Sequence, residues 1–166
     1  MWIHKNTFAI GALENVGFAP GQDKLLVLST QGQGIFDCIT GEKIVQKNDG
    51  ADWWNNFNET TNSISGFDCL DGTIVATHGL YGDDHLLKDT QDGWTLSISK
   101  PEPDEKPFEK YLIQKIYLIS PDEQQKIFIA KDGPCEFRAY GFSETGNSFI
   151  IASNCDLIIY SRSFFQ

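Results

Sequence analysis

No apolar run in the 166 residues approaches the ~18 needed to cross a bilayer as a helix, so no membrane span is expected. Basic residues are scarce. The chain has 13 Lys and Arg against 23 Asp and Glu, a formal charge of −10. That balance argues against a nucleic-acid partner, because holding a polyphosphate takes a surplus of cations. Histidine occurs three times and cysteine four times, at Cys38, Cys69, Cys135 and Cys155, without a C-x-x-C pair. This spacing favours reduced, buried or half-buried thiols over a disulfide framework. Also missing are a G-x-S-x-G phrase, a Gly-rich phosphate loop and a Cys placed with His and Asn partners. No catalytic centre and no cofactor are implied. The opening MWIHKNTFAIGALENVG carries one Lys and a broken apolar character, unlike a secretory signal, so a cytoplasmic protein is expected.

What is present is repetition. FDCITG at residues 36–41 returns as FDCLDG at residues 67–72. VGFAPGQDKLLVLSTQGQGIFD, residues 16–37, aligns without a gap with YGFSETGNSFIIASNCDLIIYS, residues 140–161. The alignment matches Gly17-Phe18 with Gly141-Phe142 and Leu25-Leu26-Val27 with Phe149-Ile150-Ile151. Shorter relatives lie at residues 118–140 and 65–79. Each unit is an apolar strand, a turn rich in Gly, Asp or Pro, and a second β-rich run, the chemistry of chain reversal. FDCxxG reads as a strand end and tight turn used in two hairpins. The apolar runs LLVL, KIFIA, FIIA and LIIY are continuous, which fits strands covered on both faces or central in a sheet. TLSIS alternates and should have one wet face.

FAPGQDKLLVLSTQGQGIFDCITGE, with ISPDEQQKIFIA and FSETGNSFIIASNCDLIIYS, resembles the blade phrase of WD40-like β-propellers. The resemblance covers about half the chain. Blades recur every 40–50 residues or so, whereas the last two units here start only about 22 apart, and no Trp-Asp dipeptide ends one. The expected fold is a single all-β domain over residues 1–166. It would be an antiparallel meander of propeller-like hairpins with little helix: an incomplete or minimal propeller, or a sandwich or barrel. The best helix candidate is residues 103–115, cut short by its prolines. Residues 99–107 read as an exposed acidic loop, and residues 48–62 as a second long loop carrying Trp53 and Trp54.

The acidity is local. Residues 49–105 hold 12 acidic side chains against Lys88 and Lys100, a sum of −10, and the rest of the chain balances to zero. The candidate partner-binding residues are Asp49, Asp52, Asp83, Asp84, Asp89, Asp92, Glu102, Asp104 and Glu105, with Trp53 or Trp54 as an aromatic anchor. In a loop, one ring can anchor the segment while the other lies on the surface. His78 and His85 flank Asp83-Asp84, but their spacing fits no metal-ligand pattern, and a polar turn is expected.

In its size, acidity and lack of catalytic phrases the chain resembles small bacterial immunity proteins, including those of contact-dependent growth inhibition. That resemblance implies a basic protein partner, a cognate toxin and most simply a nuclease, whose active site the acidic residues occlude. Two alternatives are a propeller-like scaffold in a larger assembly and a carbohydrate-binding or hydrolytic β-protein using Trp53, Trp54 and a carboxylate pair.

Overall fold

A computed structural model describes residues 1–105 and 112–163. Its strands are β1 (Trp2–Ala9), β2 (Leu13–Phe18), β3 (Lys24–Ser29), β4 (Gly32–Asp37), β5 (Glu42–Lys47) and β6 (Phe57–Asn58). Next come β7 (Ser63–Ser65), β8 (Ile74–Ala76), β9 (His78–Gly79), β10 (Thr95–Ile98), β11 (Glu102–Pro103) and β12 (Leu112–Ile113). The last five are β13 (Lys115–Ile119), β14 (Lys126–Lys131), β15 (Phe137–Phe142), β16 (Ser148–Ser153) and β17 (Asp156–Arg162). Among the described residues the only helical segments are 3-10 turns at Asp52–Asn56 and Asp68–Leu70.

The two 22-residue copies build the same unit. One supplies β2, β3 and β4, which β5 extends into a meander, with β9 on the far side of β2. The other supplies β15, β16 and β17. There the fourth strand is β1, which pairs antiparallel with β17 from Trp2 opposite Arg162 to Ala9 opposite Asp156. Smaller antiparallel sheets are β6-β7-β8, β10-β13-β14 and β11-β12. The fold is thus all-β and antiparallel, in separate sheets, and the described strands close no barrel.

Three cores separate four stacked layers, and this explains the continuous apolar runs. Leu25 and Val27 of β3 face Ile150 and Ala152 of β16 in the central core. Leu26 and Leu28 turn the other way, toward Ile64, Val75 and Trp53 of the β6-β7-β8 side. Phe149 and Ile151 turn toward Leu96, Ile116 and Leu118 of the β10-β13-β14 side. Successive side chains of a strand point to opposite faces, so a strand between two cores is apolar throughout. KIFIA is different. Its strand β14 lies at a sheet edge, and Ile127 and Phe128 are exposed.

The two FDCxxG phrases use their last residue alike: Gly41 and Gly72 hold φ of 78° and 79°, left-handed values that glycine adopts readily. The first phrase ends β4 and turns into β5. The second is the 3-10 turn between β7 and β8. The expected helix over residues 103–115 is corrected at its described ends, where Glu102–Pro103 pairs with Leu112–Ile113 as strand. Residues 106–111 lie outside the described residues. The expectation of four reduced thiols is also corrected, because Cys135 and Cys155 are joined in a disulfide. Phe137 pairs with Ser153, so the next residues outward on that hairpin bring the two cysteines to a Cα separation of 6.0 Å. Cys38 is free and buried, and Cys69 free and exposed.

Candidate functional site

The tryptophan pair divides as a loop allows. Trp53 is 1% exposed, and its indole N–H donates to the Ser29 carbonyl at 2.8 Å. Trp54 is 37% exposed. It stacks on Phe57, with centroids 5.2 Å apart and planes at 19°, and leans on Tyr81 at 4.9 Å. Trp53 is therefore the structural anchor of the loop, and Trp54 is the ring available at the surface.

Four carboxylates of the acidic window are met by cations that the sequence places elsewhere. Asp49 pairs with Lys47 at 3.6 Å, Glu102 with Lys115 at 3.3 Å, Asp104 with Lys131 at 3.2 Å and Asp92 with Arg162 at 2.6 Å. Asp84 pairs with Lys88 at 2.8 Å and also accepts the Tyr140 N–H. Pairs that solvent still reaches contribute ~0–1 kcal/mol each. They change the field more than the stability: the four cations from outside the window cancel four units of the charge summed over residues 49–105, in which Lys88 is already counted. Asp52, Asp83, Asp89 and Glu105 are exposed. The window is also spread over the fold. Asp49 and Asp52 adjoin Trp53; Asp83 and Asp84 form the turn after β9; Glu102, Asp104 and Glu105 lie by Lys115 and Lys131.

Asp89 and Asp92 are brought together, with a carboxylate from outside the window. They line an open cleft of about 510 Å³ with Glu144, Thr145 and Arg162. Arg162 donates to both oxygens of Asp92, and the Thr90 hydroxyl donates to one of them. These donors hold the Asp92 carboxyl well below the usual carboxylate range. Asp89 accepts the Thr95 hydroxyl at 2.6 Å, and Glu144 accepts the Gly21 N–H at 3.1 Å.

Beside this cleft lies a second, of about 550 Å³ and more apolar, lined by Phe18, Ile74, Ala76, Leu87, His78 and His85 among others. Leu87 and Glu144 line both clefts. The dividing crest is a strap, residues 86–90. It ties two sheets: the Phe142 N–H donates to the Leu87 carbonyl, and the Leu96 N–H to that of Lys88. Leu86 is buried in the central core, whereas Leu87 is 48% exposed. The segment that carries His78 is tied down by Asn15, which is fully buried. Its amide donates to Thr77 Oγ1 and the Tyr81 carbonyl, and its oxygen accepts the Tyr81 N–H. His78 Nδ1 accepts the His85 N–H at 3.2 Å, and their ring centroids lie 6.3 Å apart. Burial lowers the His78 pKa against the raising effect of Asp84, with His85 and Lys88 lowering it further. Among the described residues no three His, Cys, Asp or Glu side chains gather as metal ligands.

Glu144, Leu87, Asn15 and Arg162 were not singled out from sequence. The repeat held a clue for Glu144: it lies in the turn of the second copy that corresponds to residues 19–24 of the first. The structure packs those two turns together. Asp23 accepts hydroxyl protons from Ser143, Thr145 and Ser148, and Glu144 reaches Gly21. No protein-family model and no curated protein matches the chain.

Proposed function

We propose that this protein is a non-catalytic acidic binding protein, most simply an immunity protein that neutralises a basic toxin of the nuclease type by covering its active cleft. The observation that carries the reading is the open cleft on which Asp89, Asp92 and Glu144 stand around Arg162, in a chain of net charge −10. Arg162 is engaged by Asp92, so Asp89 and Glu144 set the sign of the field there. A nuclease must carry a cationic cleft to hold its substrate. An acidic surface steers such a partner, raising association rates to ~10⁸–10⁹ M⁻¹s⁻¹ at low salt.

The test is retention of a basic protein at low salt and its release at roughly 0.5 M NaCl, where the screening length falls to a few ångströms. The retained protein should lose nuclease activity when bound and regain it on release. Salt-insensitive capture of neutral proteins would instead support a scaffold. That competing role would draw on the two large antiparallel sheets, one of four strands and one of five. A sugar-binding role is favoured by Trp54, and saccharide quenching of its fluorescence, indifferent to salt, would support it.

A nuclease partner implies action in the cytoplasm. The Cys135–Cys155 bridge weighs the other way, because glutathione and thioredoxin keep cytosolic thiols reduced. Alkylation in intact cells decides between the two by counting reactive cysteines after denaturation.

A further inference from the structure

We propose that the two clefts form one groove for an extended cationic segment. An aromatic or aliphatic side chain would be seated against Ile74, Ala76 and Leu87, with a Lys or Arg on Glu144 and Asp89. The inference rests on the basic-partner reading and names its contact surface.

The two halves adjoin at Leu87 and Glu144, which line both. The crest between them is held in place. Leu86 is buried, Lys88 donates to Asp84 and lies 3.9 Å from the Tyr140 ring centroid, and two backbone hydrogen bonds fix the strap to β15 and β10. The strap lies so close to β15 that a Cβ on Gly141 would stand 2.4 Å from that of Leu86. An approach this close leaves the crest little freedom to close over the clefts. The apolar half exposes Ile74 at 59% and Leu87 at 48%, and its volume falls in the ~300–1,000 Å³ range of ligand sites.

Charge chooses the occupant. Arg162 is spent on Asp92, so the acidic half offers Glu144 and Asp89, each with one described donor and further lone pairs. Glu144 sits where the halves meet. In an extended ligand, residues two apart point to the same side ~7 Å apart. A cation two positions from an apolar residue therefore spans the junction. A second copy of this chain is a poorer occupant, because two molecules at −10 repel.

The test is a ¹⁵N-edited NMR titration of the full chain at low salt with the peptide Ac-Gly-Arg-Gly-Phe-Gly-NH₂, its Glu-for-Arg counterpart and its Ala-for-Phe counterpart. The arginine peptide should shift the amides of Ala76, Leu87, Gly146 and Asn147. The glutamate peptide should not, and loss of Phe should weaken binding. Glu144→Gln with Asp89→Asn should raise the Kd about tenfold while leaving remote amides unmoved. Shifts equal for both charges, or broadening with protein concentration alone, overturn the proposal. If the arginine peptide instead shifts residues near Asp52 or Glu105, the groove is wrong and the basic-partner reading stands. If it shifts nothing at about 5 mM, both fall.

Discussion

At the residue scale, neighbouring identical side chains carry opposite duties. Trp53→Ala removes a fully buried indole and its hydrogen bond to the Ser29 carbonyl, so we expect a loss of ~3–5 kcal/mol in urea denaturation. Trp54→Ala removes a surface stack on Phe57 and should cost ~1 kcal/mol. The Trp-Trp doublet was legible as a loop anchor, but which ring goes in depends on the 3-10 turn, and sequence does not show its phase. His78 makes a pH prediction. Its folded pKa lies below the ordinary value because it is buried near His85 and Lys88, Asp84 only partly compensating. As pH falls below about 6.5 the unfolded chain binds a proton that the folded one resists, so stability falls. The slope ends once pH drops beneath the folded pKa. His78→Asn should flatten this dependence as pH falls below about 6.5 in parallel urea titrations.

At the element scale, strands are placed by what lies on each side of them. LLVL and FIIA were legible as doubly covered because alternate residues feed different cores: Leu25 and Val27 one, Leu26 and Leu28 the other. KIFIA has the same pattern but sits at an edge, with Phe128 51% exposed. An apolar run reports affinity for a neighbour, not whether the topology supplies one. The repeat's glycine carries more. Gly17 and Gly141 occupy equivalent positions, and a segment crosses each at close range: a Cβ on Gly17 would meet the Ala76 carbonyl at 2.1 Å. Gly141→Ala should therefore displace the strap, at ~1–3 kcal/mol for overpacking. The amides of Phe142 and Leu96, which donate to Leu87 and Lys88, should exchange hydrogen faster while those of β3 stay protected.

At the scale of the whole molecule, charge read along the chain is not charge met in space. The −10 of residues 49–105 is real, yet Lys47, Lys115, Lys131 and Arg162 come in from outside the window to meet it. Glu144, far outside, completes the cleft. These juxtapositions follow from sheet order, which local pattern does not encode. The cysteines give a global check. Cys38 is buried, and burial with the carboxylates of Asp23 and Asp37 pushes its thiol pKa well up, so it should be inert in the native protein. Alkylation followed by mass spectrometry should add one group to native protein at Cys69, two after denaturation and four after reduction. Reduction should lower stability by ~2–4 kcal/mol.

The pairing of β1 with β17 joins residues roughly 150 positions apart. A ribosome adding ~5–20 residues per second needs roughly ten to thirty seconds to deliver that partner. For nearly all of that time Trp2, which in the finished protein packs on Phe142 and Phe149, has neither of them to pack on. The nascent chain must carry β1 unpaired while the four strands of the β2–β5 meander are already present. Synthesis conditions that slow the last residues should therefore raise chaperone occupancy on the first ones.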